Sequence, residues 1–500
     1  MPTKELDALA CQCHKNVLGF MGDRSSRKDE ALHAEKLMRT AQTAPVELRD
    51  EVYAQIVKQL TGNPDAESVK AGWQLMGVAC GAISPSKDFQ PYLEAFIASH
   101  IAGRGGGGAG GGGAGASSAA AAAAAAPGIS ELAAFALARL RRVSSMPPRV
   151  EVPVLAEIEA TRACAPVLFR VYHLDGSYDT VPVASWVTNA LVKQMVCEAR
   201  GIYNGAAFGL FEFQPEGDER LLGNDERTVE LVSYWQRLSE EERGKGEDAA
   251  SKKLKKKGIN ATHRAVFKVH MYFEPAPEDS KASHEMFIQG CFDVVHRYPT
   301  GLDDCVALAG LQLQAMLGDQ PLPALADKLR FFVPPKLLPG TPEDKDAKKA
   351  GERAALAERL AAAHRQHAGK SKAAAERAYL AHIREWQVYG CTFWHVEPQM
   401  NQELPSAVIL GIHPKGVLII SPETFEVLKS HNYSDIPQWG SSKAAFILYI
   451  GNLIKQTKLF FSTPTDSQGD DMNVRGRVVQ GSYAPRALHA QPRPLAAPCV

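Results

Sequence analysis

From Leu6 to about Ile101, apolar residues recur three or four positions apart, the spacing of one helix after another packed on one side. The most regular case is Leu48 to Leu60. There Val52, Tyr53, Ile56, Val57 and Leu60 make one stripe, Asp50, Glu51, Lys58 and Gln59 fall off it, and Gly62 and Pro64 end it. Ser68 to Cys80 puts Val69, Trp73, Met76 and Cys80 on one face, with Gly81 read as its stop. A further helix starts near Ser84-Pro85-Ser86-Lys87-Asp88 and carries Phe89, Leu93, Phe96 and Ile97, with Pro91 in its first turn, where the missing N–H does no harm. Residues 103–127 then break the pattern with nearly pure Gly followed by nearly pure Ala. Poly-Gly has no apolar surface to offset its ordering entropy, so this tract is expected as a flexible insertion before helical spacing resumes at Ile129 to Leu140.

Beyond Val167 the period changes. Val167 to Tyr172 and Tyr178 to Val183 read as strands around the turn Asp175-Gly176-Ser177. A helix with Val187, Leu191 and Met195 along one side follows, then strands at Phe208 to Phe213 and Ala265 to Phe273, with a charged loop at 240–258 before the last. Helices return at His284 to His296 and at Val306 to Leu317, and again at Ala373 to Trp386 after a Lys/Glu/Ala-rich span, 339–369, expected as a solvated, partly helical insertion. The last folded part is all short strands: Cys391 to Val396, Ala407 to Ile412, Val417 to Ile420, Ile436 to Trp439, Ala444 to Tyr449 and Lys458 to Phe461, a sandwich or barrel pattern. Residues 464–500 carry no helical apolar period and are expected as a disordered tail.

At 500 residues the chain exceeds one ordinary core, so three or four units are expected. Lys plus Arg equals Asp plus Glu at 56 each, so no overall field selects nucleic acid, and charge-driven contacts fall to local patches. The sequence holds no apolar run that would span a bilayer and no apolar signal region behind Met1, which points to a cytoplasmic protein. Nine cysteines, an odd number without framework spacing, fit reduced thiols.

Candidate chemistry weakens on inspection. Cys11-Gln12-Cys13-His14 is too tightly spaced for a zinc knuckle, and His284-Glu285-Met286-Phe287-Ile288 has Ile288 where a zinc-protease helix needs its second histidine. His364 and His367 lie in a charged span without acidic or Cys partners. The Gly run at 105–113 follows no strand and precedes no Lys-Ser or Lys-Thr, so it is no phosphate loop. The residues therefore point to no catalytic, cofactor or metal site. One charged patch stands out: Lys252, Lys253, Lys255, Lys256 and Lys257, able to meet an acidic headgroup or lattice by short-range attraction, or simply to be solvated. Arg49, Lys58, Lys70 and Lys87 are single cations that would add to it only if the fold brought them together.

The wording of the helices is more specific than their spacing. Phe20-Met21-Gly22-Asp23-Arg24, Leu48-Arg49-Asp50-Glu51-Val52-Tyr53, Ala71-Gly72-Trp73-Gln74-Leu75-Met76 and Pro85-Ser86-Lys87-Asp88-Phe89-Gln90-Pro91-Tyr92-Leu93 resemble, in order, the MyTH4 domains of certain myosin tails and of plant-type calmodulin-binding kinesins. Tyr298-Pro299, Asp303-Asp304 and Leu311-Gln312-Leu313-Gln314 are similar to the helical second lobe of FERM domains, and Tyr389-Gly390-Cys391-Thr392-Phe393, Leu410 to Val417 and Gln438-Trp439-Gly440 to the pleckstrin-like third lobe. The resemblance implies a multidomain α+β chain: a MyTH4 helical domain at 5–155, a ubiquitin-like lobe at 164–274, a helical acyl-CoA-binding-protein-like lobe at 283–388 and a pleckstrin/PTB-like sandwich at 389–463. In that sandwich the closing C-terminal helix of the family is expected to be missing. It further implies a non-catalytic, cytoskeleton-associated motor tail that binds cargo or membrane-protein tails, with microtubules and a phosphoinositide membrane surface as further partners. The alternative is a stand-alone FERM linker between membrane and cytoskeleton. A Cys/His enzyme stands as a third reading, and the residues favour it least.

Overall fold

The stripe of Val52, Tyr53, Ile56 and Leu60 is buried on α3 (Val46–Leu60), which starts two residues before the apolar period because Pro45, with its fixed φ and no N–H, opens the first turn. Around it lie α1 (Lys4–Met21), α2 (Glu30–Thr43), α4 (Ala66–Ala82), α5 (Gln90–Ser99), α6 (Ile129–Val143) and α7 (Leu155–Arg162). The computed structural model describes residues 4–101, 128–214, 219–244, 263–276, 279–342, 344, 346–399, 403–413, 415–442, 444–451, 456–463 and 472. The Gly/Ala tract, the Lys252 to Lys257 patch and most of the expected tail lie outside these residues. The chain divides into two units, Met1–Tyr172 with Tyr178–Ala199 and Leu210–Val266, and His173–Ser177 with Arg200–Gly209 and Phe267–Val500.

In the first unit α4 is the axis, packed by α1, α3 and α6. Trp73, Leu75, Met76 and Cys80 join the α3 stripe in one core. Asp65 caps α4 by accepting from the Glu67 and Ser68 amides, and Asp50 holds the following loop by accepting from the Ser86 amide at 2.7 Å. Tyr53 is fully buried yet satisfied, its hydroxyl donating to the Ile83 carbonyl at 2.7 Å. Gly81, expected as a stop, lies inside α4. Its missing side chain leaves the seat of the Arg139 guanidinium from α6, which a Cβ would strike.

The strands of this part follow the expected order with additions. β1 (Val167–Tyr172) and β2 (Tyr178–Val183) form an antiparallel hairpin, Val167 facing Val183 and Tyr172 facing Tyr178. With β3 (Phe208–Phe213), β4 (Glu219–Leu221) and β5 (Arg264–Val269) they make a sheet of order β2-β1-β5-β3-β4, β1 and β5 running parallel. α8 (Asn189–Arg200) and α9 (Thr228–Gly244) complete the lobe. The apolar side of α8 is Val192 and Val196, not Leu191 and Met195: Leu191 is 37% exposed, because the helix begins at Asn189 and turns Val187 into a buried approach residue. β4 and α9 carried no clear sequence signal, and the last strand ends at Val269 rather than Phe273.

The second unit contains α10 (Ser280–His296), α11 (Leu302–Leu317), α12 (Ala347–Arg365) and α13 (Lys372–Arg384). Here 339–369 departs from the expected solvated insertion. α12 buries Leu356, Ala357 and Leu360 against Cys305, Ala309 and Leu313 of α11. The approach is close because Gly310 faces Ala363: a Cβ at Gly310 would lie 2.7 Å from the Ala363 carbonyl carbon. Ala-rich sequence, which looks uncommitted, is what lets two helices come this near.

β6 (Thr392–Gln399), β7 (Val408–His413), β8 (Gly416–Ile420), β9 (Val427–Asn432), β10 (Gln438–Ser442), β11 (Ala445–Gly451) and β12 (Gln456–Ser462) form one antiparallel series of order β10-β11-β12-β6-β7-β8-β9. β6 serves both halves, Thr392 to Val396 pairing with β7 and Glu397 to Gln399 with β12. Val408, Leu410 and Ile412 alternate inward to meet Val417, Ile419, Phe446 and Phe461. β9 was not anticipated; its burial never passes intermediate, so it has no apolar signature. β10 begins two residues later than the expected Ile436, which is buried ahead of the strand. Met472, within the expected unpacked tail, is helical and fully buried in this core, so at that position the expectation fails.

Candidate binding surfaces

The most concentrated chemistry in the first unit is an ionic knot. Arg139 on α6 and Arg149 in the connector converge on Glu157 of α7, all three buried. Arg149 makes a two-pronged pair, Nη1 donating to Glu157 Oε1 at 2.9 Å and Nη2 to Oε2 at 2.6 Å. Arg139 Nη2 donates to Oε1 at 3.0 Å and its Nη1 to the Thr161 hydroxyl. Ser185, just after β2, donates to Glu157 Oε1 at 2.9 Å, and Ser233 of α9 accepts from Arg149 Nη2 at 3.2 Å. Burial by itself would raise the Glu157 carboxyl, but the two guanidinium groups outweigh it and hold it below the usual carboxylate range. Burial lowers Arg139 despite Glu157.

The connector is also stapled from outside. Glu151 pairs with Arg237 of α9 at 2.7 Å, and Glu230 accepts from the Val150 and Glu151 amides at 2.9 and 3.2 Å. Helical domain and sheet lobe are thereby joined by charge as well as by apolar contact. A small cavity of about 200 Å³ lies beside the knot, lined by Phe135, Cys164, Val183 and Trp186. Its Cys164 thiol is pushed up to about 11, first by burial, so it is a poor nucleophile at neutral pH.

In the second unit a cleft of about 430 Å³ runs between the end of α13 and the β7–β8 turn with β9. Tyr272 and Tyr389 meet edge to face there, 5.0 Å apart, and Arg384 pairs with Glu274 at 3.2 Å on its rim. His413, its Nδ1 accepting the Lys415 amide at 2.9 Å, is lowered to about 4 by burial and then by Lys415. His431 is likewise lowered, first by burial, and among the described residues its buried Nε2 meets no hydrogen-bond partner. The cleft thus presents aromatic walls and neutral imidazoles. β9 and β10 are the two edges of the strand series.

The candidates raised by sequence are dispersed. Cys13 is buried in the first core, its thiol pushed up to about 11 by burial and Glu51, whereas Cys11 is exposed. His284 pairs with Glu376 at 2.7 Å, and His364 Nε2 donates to the Gly318 carbonyl at 2.7 Å, tying α12 to the end of α11. His367 lies 2.9 Å from Lys370 Nζ. Lys58 and Lys87 are exposed, while Arg49 and Lys70 are half-buried. Among the described residues no group of three or more His, Cys, Asp or Glu is placed to hold a metal, and no helix is long and apolar enough to cross a membrane. The knot was invisible to sequence reasoning; its only hint was three charged residues inside otherwise apolar helical or connector segments.

Comparison with known proteins matches four domain models in series: a MyTH4 domain at residues 34–160, an RA like domain at 165–267, a FERM central domain at 274–394 and a PTB domain of IRS-1 type at 395–475. The chain is 26% identical over 424 residues to kinesin-like protein KIN-14I of Oryza sativa, covering 80% of this chain and 30% of that protein. It is 22% identical over 479 residues to myosin-VIIa of Drosophila melanogaster, covering 93% of this chain and 20% of that protein. It therefore spans less than a third of the length of either. A solved structure, the human Myosin 7b C-terminal MyTH4-FERM domain in complex with the harmonin-a PDZ3 domain, superposes with a TM-score of 0.69 at 21% identity, covering 95% of this chain and 88% of that one.

Proposed function

This chain is a MyTH4 domain followed by the lobes of a FERM domain, and from that premise we propose that it is a non-catalytic adaptor that couples a cytoskeletal motor to its load. The observation that carries the reading is the unbroken order of the four matched modules, in a chain that aligns over 424 residues with a kinesin-like protein and over 479 residues with a myosin. The division 5–155, 164–274, 283–388 and 389–463 is the corresponding domain proposal. Cytoplasmic, cytoskeleton-associated residence follows from the same premise. A protein partner is favoured by the neighbouring Myosin 7b structure, whose MyTH4-FERM domain is in complex with a PDZ domain. For this chain the partners are cargo peptides or membrane-protein tails, taken up along a strand edge. Microtubules are the second partner, met by Lys252, Lys253, Lys255, Lys256 and Lys257 through short-range attraction to an acidic lattice.

Cosedimentation with microtubules, and separately with actin filaments, at low and moderate salt tests the reading. Pelleting with microtubules that weakens as salt rises is expected. Failure to pellet even at low salt rejects lattice binding and leaves peptide cargo. Unchanged pelleting after replacing the five lysines with Ser rejects that patch alone.

A further inference from the structure

In the buried knot two guanidinium groups meet one carboxylate. Among the described residues Glu157 is the one acidic group that pairs with either Arg139 or Arg149, so the knot carries a positive charge in excess. The neighbouring acids are committed elsewhere. Glu151 pairs with Arg237 at 2.7 Å, and Glu230 with Arg227 at 2.9 Å. Glu131, whose charge reaches Cys164 from α6, is exposed and accepts from the Gly128 amide at 3.0 Å. Nor do the thiols beside Arg139 supply a negative charge. Burial pushes Cys164 up to about 11 and Cys80 up to about 12, so both are neutral at neutral pH. A buried charge without a counter-ion is costly, because burial strips its water and offers nothing in exchange.

Arg139 also lines the cavity of about 200 Å³ beside the knot. Its side chain is almost wholly buried, and among the described residues its Nε meets no hydrogen-bond partner. Its other nitrogens are occupied, Nη1 by Thr161 and Nη2 by Glu157 and Ser185. The two hydroxyls are engaged as well: Thr161 donates to the Glu157 carbonyl at 2.7 Å and Ser185 to its carboxylate at 2.9 Å. The rest of the lining is chiefly apolar and includes Phe135, Ala160, Val183, Trp186 and Val229. Arg142 lies over the Trp186 ring, 5.0 Å from its centre, which sets a further cation against that wall.

We propose that this cavity binds a small amphiphilic monoanion, a carboxylate on a compact apolar body. The carboxylate accepts from Arg139 Nε and offsets the surplus charge, while the body lies against Phe135, Val183, Trp186 and Val229. The size agrees. An apolar cavity of about 150 Å³ takes up benzene, so about 200 Å³ holds a ring together with its carboxylate. A bare halide would leave the apolar walls uncovered, and a phosphate dianion would exceed the single charge to be offset. Because α6, α7, β1, β2 and α9 all contribute to the lining, the bound anion fastens the helical domain to the sheet lobe.

The test is isothermal titration calorimetry of the full chain with sodium benzoate, with benzyl alcohol as its neutral counterpart and with sodium chloride at matched ionic strength, alongside thermal unfolding. Expected is saturable benzoate binding about tenfold tighter than that of benzyl alcohol, the difference a charge-assisted hydrogen bond makes. The thermal midpoint should rise with benzoate concentration. Ala160→Leu fills the cavity without touching the charges of the knot and should abolish benzoate binding. Iodobenzoate, which quenches on contact, should remove a saturable share of the tryptophan emission that Trp186→Phe no longer shows. Absence of saturable benzoate binding, equal affinity for benzyl alcohol, or displacement by chloride at equal concentration would overturn the proposal. So would quenching that survives in Trp186→Phe, or undiminished benzoate binding by a folded Ala160→Leu protein.

Discussion

Replacing Glu157 by Gln should cost the first unit more than any surface change of similar size. The carboxylate accepts from Arg149 twice, from Arg139 and from Ser185, and it is the counter-ion of two guanidinium groups that are 3% and 6% exposed. A glutamine of the same shape keeps the packing and removes the charge, leaving two buried cations with nothing to offset their desolvation. Breaking a buried pair in this way costs about 3–5 kcal/mol. For a unit of this size that lowers the thermal midpoint by about 10 °C. The assay is thermal and urea unfolding of the full chain followed by tryptophan fluorescence, with limited proteolysis of the connector as a second readout. A companion variant, Arg139→Met with Arg149→Met and Glu157→Leu, should recover most of the loss, because an apolar set of similar volume removes the desolvation cost along with the pairing. The pH dependence has a definite sign. The folded carboxyl is held below its unfolded value, so its contribution is complete above about pH 5 and is lost as pH falls through the folded value. A Glu157→Gln protein within about 0.5 kcal/mol of the parent would refute the reasoning, since it would mean the arginines reach water.

Gly310→Val should destabilise the second unit by about 1–3 kcal/mol, measured by urea unfolding, because the new side chain must displace the Ala363 backbone. Met472→Ser should cost about 2–4 kcal/mol in the same assay if this residue seals the third lobe; a cost near zero would show that the burial contributes little. For His413, the folded value of about 4 lies below that of an unfolded histidine, so the folded protein binds its proton less readily and loses stability as pH falls from about 6.5 towards 4. His413→Gln should flatten that part of a midpoint-against-pH curve. A thiol reagent at neutral pH should label exposed Cys11 quickly, while Cys80, buried with its thiol pushed up to about 12, should react only on unfolding.

Helix and strand identity was largely legible where one face of an element is apolar. The α3 stripe, the β1–β2 hairpin and the inward residues of β7 are each short-range patterns, and burial confirms them. The misses have separate origins. Leu191 and Met195 fit a helical period as well as Val192 and Val196 do, and only the start of α8 at Asn189 chose between them. β9 has no apolar face, because it closes an edge and sends no side chain into the core. α12 looks solvated in sequence because only Leu356 and Leu360 are large apolar residues among its buried side chains, while Ala363 matters through the closeness it permits beside Gly310.

The order of modules and most of their elements are legible in the chain, since both are written in local wording and period. What tertiary structure decided is where charge goes. Arg139, Arg149, Glu157, Ser185 and Ser233 meet across separations of up to 84 residues, and no periodicity links them. Gly81 shows the same division at a single position. Read alone it is a helix stop; in the fold it is the space that admits a buried guanidinium, because van der Waals exclusion and ion pairing act between segments that only folding brings together.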